Sequence, residues 1–154
     1  DILINQWGVD GFDIDAESGM SNNYVSNFIL LSTELKKVLK KKILTYTCYT
    51  GTDGPDGIIL EHIQDDINWI NLMAYFVSFS DYITLYKDYN NIIQNITIGV
   101  KAGTEFTLLP EVNDLCKWNP NKYGMMLWTI NRDTTSFTNQ PNFTWSNTIY
   151  KNLK

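Results

Sequence analysis

Three carboxylates, Asp13, Asp15 and Glu17, stand at alternate positions near the start of the chain, with apolar Ile14 and Ala16 between them. Strand geometry repeats every two residues, so this spacing puts the three acids on one face and the apolar residues on the other. A helix would scatter the same acids around its circumference. Like charges held this close resist joint ionisation, so the row shifts the proton affinities of its members. That is the property an acid catalyst needs. Two plainer readings compete. A calcium loop requires a bidentate Glu at its twelfth position, and counting from Asp13 or Asp10 gives Tyr24 or Ser21. A solvated acidic edge strand has the same alternation. Here Gly11 precedes the row and Ser18-Gly19 follow it, as in a strand that delivers its last acid to a loop at its C-terminal end.

The elements that must carry these acids follow from periodicity. Val25, Phe28, Leu31, Leu35, Val38 and Leu39 recur at helical spacing, with Ser21, Asn22 and Asn23 as cap candidates. Lys36, Lys37 and Lys40 to Lys42 crowd the end of that helix, where cations complement the dipole; a solvated helix end is the favoured reading over an anion site. Ile43 to Tyr49 predicts a second strand, followed by a turn-rich loop over 50–57 and a short helix over 58–66 that carries the lone His62. Trp69 to Tyr75 is nearly continuous and apolar and predicts a third strand buried on both faces. A tyrosine-rich helix is expected over 80–91, a fourth strand over 96–100, a helix over 109–118, a fifth strand over 124–130 and a last helix from near Trp145. Strand and helix alternate throughout, which predicts an α/β fold of parallel strands with crossover helices.

Composition sets the outer bounds. The chain has 154 residues, 44% of them hydrophobic, enough for one domain with a real core. A net charge of −5 argues against nucleic acid and anionic membrane as partners. No apolar run approaches the length of a membrane span. Cys48 and Cys116 allow one disulfide at most and do not fix the compartment. Asn95-Ile96-Thr97 and Asn142-Phe143-Thr144 are glycosylation sequons if the chain is secreted, and an extracellular or secretory location is the expectation.

Asp10-Gly11-Phe12-Asp13-Ile14-Asp15-Ala16-Glu17 resembles the fourth-strand signature of the family 18 glycoside hydrolases, the chitinases and endo-β-N-acetylglucosaminidases. Met73-Ala74-Tyr75 resembles the sixth-strand motif of that family, with Phe76 where members usually have Asp. Gly124 to Asp133 looks like the eighth strand, ending in a tryptophan, Trp128. The resemblance runs from about Val9 to Asp133 and implies a TIM-type barrel of which this chain holds strands four to eight. A complete barrel takes at least ~200 residues. The expectation is therefore a single, incomplete catalytic domain over 1–154 whose missing N-terminal half-barrel segment would be a partner.

The same resemblance implies the chemistry. Glu17 would be the general acid, with Asp15 holding its proton and Asp13 sharing a proton with Asp15. The substrate's own N-acetyl oxygen would replace a protein nucleophile. Tyr75 would orient that acetamide, Trp128 would lie beneath the sugar ring, and Met73 and Gly11 would complete the substrate-binding set. No metal or organic cofactor is implied. About 28 positions separate Val100 from Trp128, room for one helix but not for an inserted domain. The groove should then be open, which implies endo-type cleavage of chitin or N-acetylglucosamine oligosaccharides. The alternatives are a non-hydrolytic chitinase-like binding protein or inactive fragment, and an endo-β-N-acetylglucosaminidase acting on N-glycans.

Overall fold

A computed structural model of the chain describes residues 6–15, 17, 24–103, 105–118 and 121–153. The strands are β1 (Gly11–Asp15), β2 (Ile43–Cys48), β3 (Trp69–Leu72), β4 (Ile96–Lys101) and β5 (Gly124–Trp128). Between them run α1 (Val25–Leu39), α2 (Pro55–Ile63), α3 (Phe79–Asn90) and α4 (Leu109–Lys117); α5 (Thr135–Thr138) and α6 (Thr144–Asn152) follow β5. The sheet order is β1-β2-β3-β4-β5, and among the described residues a helix lies between each strand and the next. That order, with helices in the crossovers, makes an α/β fold of parallel strands. The chain divides into two compact units, Asp1–Leu72 with Leu85–Ile96, and Met73–Thr84 with Thr97–Lys154.

In the first unit β1 pairs with β2 and β2 with β3, both in parallel. Alternation decides what each face holds. Leu44, Tyr46 and Cys48 of β2 and Ile70 and Leu72 of β3 are fully buried, and Ile59, Leu60 and Ile63 of α2 belong to the same core. The opposite face carries Asp13, Thr45, Thr47 and Asn71, which are polar. Gly11 is where β1 and β2 come closest: a Cβ there would stand 2.3 Å from the Ile43 carbonyl oxygen. The cap candidates Ser21, Asn22 and Asn23, together with Ala16, Ser18 and Gly19, lie outside the described residues.

In the second unit β4 and β5 pair in parallel, from Thr97 opposite Gly124 to Lys101 opposite Trp128. Helix α6 packs on α4 and reaches β5. Its anchor is Trp145, buried, with Nε1 donating to the Thr107 carbonyl at 2.8 Å. The start of α6 is capped from a distance. Asp133, wholly buried, accepts the Trp145 N–H at 3.0 Å and the Ser146 N–H at 2.7 Å. A carboxylate here takes up two of the donors that every helix start leaves unsatisfied.

Two strands are shorter than their apolar runs predict. β3 ends at Leu72, so Met73, Ala74 and Tyr75 follow the strand instead of forming it, although all three are buried. A turn begins there, in which Val77 N–H donates to the Ala74 carbonyl. β5 ends at Trp128, because Thr129 O accepts from Arg132 and Asp133 in the next turn. Burial by the surroundings, and not continuation of the sheet, explains both apolar extensions. Helix α2 starts at Pro55 and ends at Ile63, ahead of the predicted 58–66; proline is favoured at a first helical position. Both cysteines are free and buried, so the one disulfide that the sequence allows is not made.

Candidate functional site

The acid row lies in the first unit, and its members differ sharply in their partners. Asp13 Oδ1 accepts from Thr45 Oγ1 at 2.5 Å and from Asn71 Nδ2 at 3.2 Å, while Oδ2 accepts from Thr47 Oγ1 at 2.9 Å. Asn71 is itself held, its Oδ1 accepting from Trp69 Nε1 at 3.2 Å. These donors come from β2 and β3, on the face that strand alternation shares with Asp13. Three donors on one carboxylate fix its orientation although the residue is largely exposed.

Asp15 receives no hydrogen bond among the described residues. Its carboxyl is pushed above the usual carboxylate range, first by partial burial, then by the negative charges of Glu17, Asp13 and Asp56. Glu17 is exposed, just past the end of β1. The resemblance implied a proton shared between Asp13 and Asp15. In the structure Asp13 directs its hydrogen bonds across the sheet, and its charge is one of those that raise the proton affinity of Asp15.

Asp56 belongs to the same electrostatic group and was not singled out by sequence, where it read as one more residue of a turn-rich loop. It is fully buried in the first turn of α2. Oδ1 accepts from the Tyr46 hydroxyl at 2.7 Å; Oδ2 accepts from the N–H groups of Tyr49 and Thr50 and from Thr50 Oγ1, at 2.8, 2.7 and 2.9 Å. The carboxylate thereby ties the end of β2 and the loop after it to the helix behind. Tyr89 adds a bond from its hydroxyl to the Thr50 carbonyl at 2.6 Å. An Asp directly after a helix-starting Pro is the one signal that could have marked it.

The remaining predicted residues lie in the second unit. Met73 and Tyr75 are buried, whereas Trp128 is 42% exposed at the end of β5. Tyr75 meets Phe76 with ring centroids 4.7 Å apart, and Lys101 Nζ lies 4.9 Å from the Phe76 centroid. Phe76 is mostly exposed, so the position that carries Asp in the resembled motif presents a ring to solvent here. Tyr75 also lines a small cavity of about 60 Å³ with Ala74, Tyr82, Phe106 and Leu115. Among the described residues between β4 and β5 there is one helix, α4.

No family model and no curated protein matches the chain. A solved structure does. It is a variant of an endo-β-N-acetylglucosaminidase from Cordyceps militaris, with one Asp and one Glu changed to their amides, in complex with fucosyl-N-acetylglucosamine-Asn. The TM-score is 0.80 at 20% sequence identity, over 99% of this chain and 59% of that one. The two share a fold. The winding of five strands described above is therefore that of part of a larger α/β structure, and this chain spans 59% of its length.

His62 is an exposed residue of α2 whose Nδ1 contacts the Ile58 carbonyl. Among the described residues no cluster of His, Cys, Asp and Glu could hold a metal ion. No helix of the described residues is long and apolar enough to cross a membrane.

Proposed function

We propose that the chain is the acid-bearing portion of a retaining glycoside hydrolase that cleaves the β-1,4 bond between two N-acetylglucosamine residues, with the core of an N-glycan as substrate. One observation carries this reading. Asp15 has a raised proton affinity and no hydrogen-bond donor among the described residues, between a fixed Asp13 and an exposed Glu17. An acid in that position keeps its proton to higher pH than an ordinary aspartate, beside the residue that would donate one at the strand end.

In the proposed reaction Glu17 gives its proton to the glycosidic oxygen as the bond to the anomeric carbon breaks. The substrate's acetamide oxygen forms a new bond to that carbon from the opposite side, giving an oxazolinium ion. Asp15 faces the positive charge that develops on the acetamide. Glu17, now a carboxylate, takes a proton from water, whose oxygen opens the ring and restores the original anomeric configuration. Tyr75 and Trp128 keep the substrate-binding roles that the motif resemblance assigns them.

The N-glycan is preferred to chitin because the structure that shares the fold is named as an endo-β-N-acetylglucosaminidase and holds a sugar linked to asparagine. Its two substituted acids, an Asp and a Glu two positions apart, have the spacing of Asp15 and Glu17. The test sets a fluorescent high-mannose glycoasparagine beside N-acetylglucosamine tetramer, with the chain or any longer polypeptide that contains it. The expected result is release of the glycan, with one N-acetylglucosamine left on the asparagine and the β-anomer formed first. Cleavage of the tetramer alone would make the protein a chitinase. Binding without cleavage of either would make it a carbohydrate-binding protein.

A further inference from the structure

In the second unit two cations share one aromatic ring. Lys101 Nζ lies 3.8 Å from the Phe106 centroid, and the Arg132 guanidinium carbon lies 5.4 Å from the same centroid and 5.3 Å from that of Phe137. Both distances from arginine fall within the range of cation–π attraction. Arg132 has little else. Its guanidinium makes no hydrogen bond or ion pair among the described residues, and its Nε is buried without an acceptor.

This is an unusual state for arginine. The guanidinium carries five N–H donors in a planar fork that matches a carboxylate or phosphate two bonds at a time. A chain with a net charge of −5 has 17 acidic residues from which to supply a partner, yet among the described residues Arg132 pairs with none. Flanking rings bracket the side chain, and its Nε is a buried donor without a partner among the described residues, while the residue as a whole is only part-buried. The location also matters. Lys101 is the last residue of β4, opposite Trp128 in the ladder, and Arg132 follows Trp128 by four positions. Both therefore sit at the carboxyl ends of their strands, where parallel α/β sheets bind ligands. Phe137, Trp128 and Phe76 are exposed in the same unit, and aromatic faces of this kind suit sugar rings.

We propose that Arg132, with Lys101 beside the shared Phe106, forms a subsite for an anionic oxygen group on the glycan, a carboxylate or a phosphate ester. This rests on the glycan-hydrolase reading above and narrows its substrate class to glycans that bear an acidic sugar. The bonds are charge-assisted and non-covalent: the guanidinium N–H groups donate to two oxygens of the anion, and the lysine adds a second positive charge. A purely structural Arg132 would bracket the rings without preferring any ligand.

The experiment follows the Arg132 Nε–H signal by NMR during titration with mannose 6-phosphate, N-acetylneuraminic acid, mannose and inorganic phosphate. The expected result is a shift with one or both acidic sugars at concentrations where mannose and inorganic phosphate leave the signal in place. Which acidic sugar acts identifies the source of the charge. Arg132→Gln should weaken binding of that sugar by about tenfold, which corresponds to ~1.4 kcal/mol, and Arg132→Lys by less. Raising the salt concentration should weaken it in the wild type and less steeply in Arg132→Gln, where only the Lys101 charge remains. If Arg132→Gln does not fold, the Lys variant and the salt series still decide. Equal responses to mannose and the acidic sugars, or to inorganic phosphate and the acidic sugars, would overturn the subsite. Turnover of a neutral glycan without any acidic preference would remove the subsite and leave the hydrolase. Binding of an acidic sugar without turnover of any glycan would do the reverse.

Discussion

Thr47 stands opposite Asp15 in the β1–β2 ladder but gives its hydroxyl proton to Asp13, at 2.9 Å. The bond runs diagonally, between residues on one face of adjacent strands. Its consequence is an unequal division of donors. Asp13 has three, whereas Asp15 has none among the described residues and also feels the charges of Glu17, Asp13 and Asp56. The difference between two neighbouring aspartates is thus decided on β2, not on the strand that carries them.

Removing that donor tests the division. Thr47 is almost fully buried, and Thr47→Val keeps its shape while deleting the hydroxyl. We predict a stability loss of about 1 kcal/mol, the net worth of one such hydrogen bond, read as a lower urea midpoint with an unchanged slope. Thr47→Ser should restore most of it. If the valine variant unfolds at the wild-type midpoint, the diagonal bond contributes nothing.

Asp15 gives a pH dependence whose sign runs opposite to that of a paired carboxylate. Its folded-state proton affinity is raised, so between the ordinary aspartate value and the raised one the folded state binds more protons than the unfolded chain. Stability falls as pH rises through that window, and the full cost is present above it. Below about 3.9, the ordinary value, the cost is gone. Asp15→Asn should therefore raise the melting temperature at neutral pH and lose this advantage as the pH is lowered through the window. Melting curves at a series of pH values check this; an advantage that grows toward acid pH would reverse the assigned direction.

Asp56 is the buried counterpart, and here the expected effect is large. Asp56→Ala would strand the Tyr46 hydroxyl, the N–H groups of Tyr49 and Thr50 and the Thr50 hydroxyl together. Each unsatisfied buried donor costs about 1–3 kcal/mol, so a loss of roughly 3 kcal/mol or more is expected even after relaxation. Asp56→Asn keeps acceptance at one oxygen and should lose less. Hydrogen exchange at the Tyr49 and Thr50 amides localises the effect. Protection of both amides at wild-type levels in Asp56→Ala would show that this carboxylate does not hold the loop.

These contacts also mark the limit of what the sequence disclosed. Alternation placed Asp13 and Asp15 on one face of a strand, and the strand-helix order gave the winding of the sheet, because both are local patterns. The donors to Asp13 come from residues 32 to 58 positions away, at a register that no single segment encodes. Asp56 read as part of a turn-rich loop and Asp133 as the end of the eighth-strand motif. Each became a buried acceptor only when the segment beside it supplied the donors, the β2–α2 loop for one and the start of α6 for the other. The apolar runs after β3 and β5 overshot for a related reason: Met73, Ala74 and Tyr75 are buried without being sheet, and periodicity reports burial before it reports backbone.

Glu17 offers a test of chemistry and coupling together. It is exposed beyond the end of β1, and its charge is the largest electrostatic contribution to the raised proton affinity of Asp15. Glu17→Gln keeps the side-chain shape but removes both the transferable proton and the negative charge. We predict that glycan cleavage falls by about 10²–10⁴-fold, the usual contribution of a general acid, while glycan affinity stays near the wild-type value. The same substitution should lower the Asp15 titration midpoint, followed by the carbon-13 shift of its carboxyl, without restoring it fully, since burial and the charges of Asp13 and Asp56 remain. The two readouts fail separately. Wild-type turnover would take Glu17 out of the reaction, and an unmoved Asp15 midpoint would show that the two acids titrate independently.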